Sequence, residues 1–81
     1  MKQLLTEIVL SDDDWFEHGG TNERYVQHVV GEHAYYNSQV SFELEFVERN
    51  FDAQTQVIRI YIVGNYKQLM WFRLQYTPKI T

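Results

Sequence analysis

Between Val57 and Val63 the chain reads Val-Ile-Arg-Ile-Tyr-Ile-Val, with isoleucine at positions 58, 60 and 62. Successive side chains of an extended strand point to opposite faces. This run therefore sets Ile58, Ile60 and Ile62 against Val57, Arg59, Tyr61 and Val63. A second alternation precedes it, with Val40, Phe42, Leu44 and Phe46 against Ser41, Glu43, Glu45 and Val47. That is the pattern of a half-buried strand. Asn50 to Gln54 reads as the loop between the two, and Gly64-Asn65 as a hairpin turn. Residues 67–77 continue in the same style, Leu69, Trp71, Arg73 and Gln75 opposite Met70, Phe72, Leu74 and Tyr76, until Pro78 stops the sheet. Three consecutive antiparallel strands are expected, near 39–48, 56–63 and 67–77.

The N-terminal half is less periodic. Residues 3–10 place Leu4, Thr6, Ile8 and Leu10 on one strand face, while Leu4, Leu5, Ile8 and Val9 would make a helical stripe. The short length and β-branched ending favour an edge strand. Ser11 then suits a helix N-cap, and Asp12, Asp13 and Asp14 complement the positive end of the helix dipole. One to two turns are expected over 12–18, with Trp15 and Phe16 turned inward, ended by Gly19-Gly20.

Thr21 suits a second cap. On a helical wheel, Tyr25, Val26, Val29, Val30, His33, Ala34 and Tyr36 fall on one half of residues 22–36. Arg24, Gln27, His28, Gly31, Glu32 and Tyr35 fall on the other. Periodicity predicts an amphipathic helix near 22–35. Propensity opposes it, because valine, tyrosine and a central glycine are poor helix formers. The fold class expected is α+β: a small antiparallel sheet with a helix on one face. The alternative is an all-β meander or small barrel in which 23–38 forms a hairpin.

At 81 residues the chain has room for one domain, 1–81. A domain this small buries only about 60% of its unfolded surface. With no cysteine, it has no disulfide, zinc ribbon, iron–sulfur cluster or thiol nucleophile to draw on. Two Trp, six Tyr and five Phe must supply the core instead. Yet both faces of the expected strands carry large apolar residues. One helix and a short turn cover a single face. The other would show several of Val57, Tyr61, Val63, Leu69 and Trp71, interleaved with Glu43, Glu45, Arg59 and Arg73. That excess implies a binding or dimer surface, or a segment folded over the sheet.

Charge is uneven. The net charge is −4, and seven of the eleven acids lie in residues 1–40 against Lys2 and Arg24. An acidic chain repels phosphate backbones, so direct nucleic-acid binding is not expected. Tyr61 and Trp71 flanked by Arg59 and Arg73 resemble a base-stacking platform in kind, but no ribonucleoprotein motif accompanies them. No apolar run approaches the ~20 residues of a membrane span, and Thr6 and Glu7 interrupt any leader-like start. A soluble, cytoplasmic protein is expected.

Catalytic chemistry is poorly supplied. Ser11, Ser38 and Ser41 stand in no nucleophile elbow, and Gly19-Gly20-Thr21 lacks the spacing and lysine of a phosphate loop. His28 and Glu32 are at i, i+4, a spacing metals use, but His33 lies one residue beyond zincin spacing, and His18 would have to come round to help. A small metal- or ligand-binding enzyme built on His28, Glu32 and His33 is therefore the weakest alternative. Neither enzymatic activity nor a cofactor is expected.

The densest feature is Asp12, Asp13, Asp14 and Glu17, which with Glu7, Glu23 and Glu32 would line one acidic side. Spaced carboxylates imitate a phosphate backbone and attract basic protein surfaces. Trp15 beside them, and Tyr61 and Trp71 on the sheet, are candidate aromatic anchors. The expected function is a small acidic, non-catalytic protein that docks on a basic surface of a larger nucleic-acid-handling protein. Immunity proteins, antitoxins and phage-encoded inhibitors have roles of this kind. The alternative is a homo-oligomeric accessory protein that associates, as a homodimer for instance, through an aromatic sheet face.

Overall fold

A computed structural model describes residues 1–76. Its order is β1 (Lys2–Ser11), α1 (Asp12–Glu17), α2 (Asn22–Val30), α3 (Glu32–Asn37), β2 (Ser41–Asn50), β3 (Thr55–Val63) and α4 (Tyr66–Gln75). The fold is α+β, with three antiparallel strands in one open sheet of order β1-β3-β2. β3, the isoleucine strand, takes the centre because it is the most apolar of the three. Ile58, Ile60 and Ile62 are fully buried. They face Ile8 and Thr6 across β1, and Phe46, Leu44 and Phe42 across β2. The helices supply Tyr25, Val26, Val29, Val30, Ala34, Leu69 and Phe72 to the same core.

The expected strand over 67–77 is a helix, α4, through Gln75, and Thr77 and the expected stop at Pro78 lie outside the described residues. Gly64-Asn65 is not a hairpin turn. The Asn65 side chain accepts from Gln68 N–H, and Gln68 Oε1 accepts from Asn65 N–H, each at 2.9 Å. This capping box starts a helix where a turn was expected. Leu69 and Phe72, three apart, then share the buried face. Alternation misled because the segment has apolar residues on opposite sides, Leu69 and Phe72 on one and Met70 and Trp71 on the other, so a period of two and a helical period both fit it. The third strand is β1 instead, the N-terminal segment 3–10 extended by a residue or so at each end. A bulge between Leu4 and Thr6 shifts its register. Leu5 packs against the core while Leu4 stays exposed, so Leu4 does not share the face of Ile8 and Leu10.

Residues 22–37 are helical, and the 23–38 hairpin does not form. Gly31, at φ +91°, divides them into α2 and α3. Up to the break the wheel holds, with Tyr25, Val26, Val29 and Val30 buried. Beyond it only Ala34 follows: His33 and Tyr36 are exposed, and Tyr35 is half-buried. Breaking the helix resets the phase of every later side chain.

Thr21 accepts from Arg24 N–H, and Ser11 from Asp14 N–H, each at 3.2 Å, so both expected caps form. Trp15 turns inward, its ring 5.5 Å from Tyr25 and 5.4 Å from Phe46. Phe16 does not, and remains 71% exposed. In a helix this short, one position of rotation from Trp15 already points to solvent.

Candidate protein-binding surfaces

α1 carries the acidic cluster and is held at both ends. At its start, Arg49 of β2 donates two hydrogen bonds to the Asp12 carboxylate. These bonds hold Asp12 below the usual carboxylate range. At its end, the His18 ring stacks on His28 of α2, centroids 3.5 Å apart and planes within 14°. Between these anchors Asp13, Asp14, Phe16 and Glu17 are all exposed. The result is a knob whose exposed side chains are one bare aromatic ring and three carboxylates, with Asp13, three positions earlier, on the ring's own side of the helix.

The chain reverses immediately after the knob. Gly19 and Gly20 have φ +104° and +69°, conformations that a side chain strains. The aliphatic stem of Arg24 lies so close over Gly19 that a Cβ there would sit 2.3 Å from Arg24 Cδ. Two glycines therefore let α2 begin directly beneath α1.

The acids singled out from the sequence do not form one stripe, and Glu7 is on the sheet, paired with Arg59. Asp12 is committed to Arg49. Glu17 and Glu32 come together in a shallow cleft with His18, Arg24, Gln27 and His28. Glu23 lies in another cleft, with Lys2, Glu43, Val26 and Tyr35. Its charge, after burial, helps push the Tyr35 hydroxyl pKa up.

The aromatic set separates as well. Trp15 is part of the packing under α1. Tyr61 is on the sheet face opposite the helices, and Trp71 is on α4, 61% exposed. The sheet platform of Tyr61, Trp71, Arg59 and Arg73 is therefore absent: Trp71 and Arg73 belong to a helix. Leu69, expected on the open sheet face, is buried in the core.

The open sheet face carries Val57, Tyr61 and Val63 with none of the described helices over them, yet all three are only half-exposed. Long charged side chains shield them. Lys2 pairs with Glu43 at 3.0 Å and lies 4.4 Å from the centre of the Tyr61 ring. Arg59 pairs with Glu7 at 2.7 Å. The Tyr61 hydroxyl donates to Glu45 at 3.2 Å. Aliphatic stems of Lys, Arg and Glu cover apolar surface while their charges stay in water.

The metal alternative finds little support. His33 sits beside Asn37, Nδ1 to Nδ2 3.2 Å, and near the Tyr76 ring, whereas His28 stacks on His18. Among the described residues no group of three or more His, Cys, Asp or Glu is arranged to hold a metal. No helix among them is long and apolar enough to cross a membrane.

Sequence reasoning missed Phe16, Tyr66, Met70 and Leu74 as exposed apolar residues. For α4 the signal was present: helical spacing puts apolar residues on both sides of it.

The class is α+β, a three-stranded antiparallel sheet with helices on one face. No protein-family model matches the chain, and no curated protein or solved structure matches it.

Proposed function

We propose that this protein is a small, cytoplasmic, non-catalytic binding protein that docks through α1 on a basic surface of a larger nucleic-acid-handling protein. The observation that carries the reading is the exposed Phe16 ring on a short helix whose other exposed side chains are Asp13, Asp14 and Glu17. An apolar anchor inside a charged rim is the arrangement of an interface hot spot. The carboxylates steer the approach to a cationic partner, and the ring holds the complex once formed. Asp12, tied to Arg49, fixes the helix and takes no part in contact. Glu17 extends the surface towards Glu32 across the histidine stack. Glu23 lies off it.

Capture of partners from source-cell lysate, at low and high salt, tests this reading. The expected result is a basic nucleic-acid-binding protein that salt releases. Replacing Asp13 and Asp14 with Asn should weaken capture, as should Phe16→Ser. A partner held equally well at high salt, and indifferent to these changes, would overturn the assignment.

A further inference from the structure

The outer side of α4 gathers four exposed large apolar residues on one helix. Leu69 and Phe72 are buried, and Arg73 closes the flank by donating to Gln3 Oε1 at 3.0 Å and to the Leu4 carbonyl. Away from that face, Tyr66, Met70 and Leu74 form one row at i, i+4 and i+8, with Trp71 beside it. They are 60%, 47%, 76% and 61% exposed. A surface helix is normally polar on its solvent side. This one carries no acid, and Lys67 is the one charge on its outer side.

We propose that this face is a homodimer seam, in which α4 of two copies cross in opposite directions about a two-fold axis near Met70 and Trp71. Area supports a second copy as the occupant. Residues of this size and exposure leave on the order of 500 Å² bare per chain. Two such faces remove about 1,000 Å², the lower limit for a specific interface. Shape agrees: an i, i+4, i+8 row is the ridge that interdigitates with its like at a crossing near −50°.

Charge agrees too. Opposed helices set each Lys67, in the first turn, near the negative dipole end of the other α4, whose own Arg73 is turned aside to Gln3 and the Leu4 carbonyl. A two-fold axis near Met70 keeps the two lysines apart. The open sheet face suits this role less well, since its charges are already paired across it. The seam uses none of the α1 knob, so either assignment stands or falls alone.

The test is mass in solution from micromolar to millimolar protein, joined to cross-linking. The wild-type chain should approach twice its 9.8 kDa mass as concentration rises. Trp71→Glu and Met70→Glu, both at exposed positions, should keep the circular dichroism of the wild type. They should weaken dimerisation by about 30-fold or more, as loss of a hot-spot residue does. Because the chain has no cysteine, Met70→Cys introduces a single thiol. It should cross-link with a short bis-maleimide, and Tyr61→Cys should not. A monomer at every concentration overturns the proposal. So does a dimer indifferent to both Glu variants, cross-linking at Tyr61→Cys in place of Met70→Cys, or a monomer that binds anionic vesicles through α4.

Discussion

Arg49 holds Asp12 through two hydrogen bonds of 2.8 and 2.5 Å, across 37 positions of sequence. The pair joins the far end of β2 to the first turn of α1. It also connects a folding question to a functional one, because the helix it positions carries the exposed carboxylates.

The first prediction concerns pH. The hydrogen bonds from Arg49 lower the Asp12 pKa below its ordinary value of 3.8. A carboxylate whose folded pKa is depressed contributes stability that is present above the unfolded value. That contribution fades as pH falls through the folded value. Asp12→Asn should therefore lower the urea midpoint at neutral pH and leave it unchanged at acidity below both values. Urea titrations across this range check it, and a constant difference at every pH would count against the pair.

The second separates helix from strand at 66–75. In a strand, Leu69 and Trp71 would share a face and Phe72 would oppose them. In α4, Leu69 and Phe72 share the core, and Trp71 is exposed. Phe72→Ala should cost about 3–5 kcal/mol and Leu69→Ala about 2–5 kcal/mol. Trp71→Ala should shift monomer stability by no more than about 0.5 kcal/mol. Denaturation in dilute protein, where self-association is minimal, measures all three.

The third concerns Gly31. Alanine normally favours a helix over glycine. Here φ is +91° and ψ 147°, a combination that costs a residue with a Cβ about 1–3 kcal/mol. Gly31→Ala should destabilise the protein despite its better helix propensity. A stabilised variant would mean that α2 and α3 prefer to be one helix.

The fourth contrasts neighbours on α1. Trp15 packs between Tyr25 and Phe46, so Trp15→Ala should cost about 3 kcal/mol or somewhat less, since the ring is only half-buried. Phe16→Ser removes an exposed ring and should leave the thermal midpoint within a degree or two. Only the partner-capture assay should register its loss.

Much of this architecture is legible from local pattern. The alternations in β2 and β3, the caps at Ser11 and Thr21, and the inward set Tyr25, Val26, Val29 and Val30 each depend on residues close together in sequence. The candidate site was less legible. Asp12 reads as one more exposed acid until Arg49, far along the chain, engages it. Glu17 and Glu32 meet, and Glu23 does not, because Gly19 and Gly20 fold α1 back over α2. Phe16 and Trp15 are adjacent large aromatics, and their opposite fates depend on a fraction of a helical turn.

The isoleucine period makes β3 a strand buried on one side, and that follows from side-chain geometry alone. Its neighbours do not follow. Two segments competed for the place beside it: the first ten residues and the last described ones, both apolar and both able to extend. β1 pairs with β3 and 66–75 coils across the sheet, because Asn65 and Gln68 satisfy each other's backbone donors and Leu69 and Phe72 reach the core together. A strand cannot bury two side chains three residues apart on one face. Whether those two should be buried together was set by the shape of the space left above the sheet, which no stretch of sequence contains.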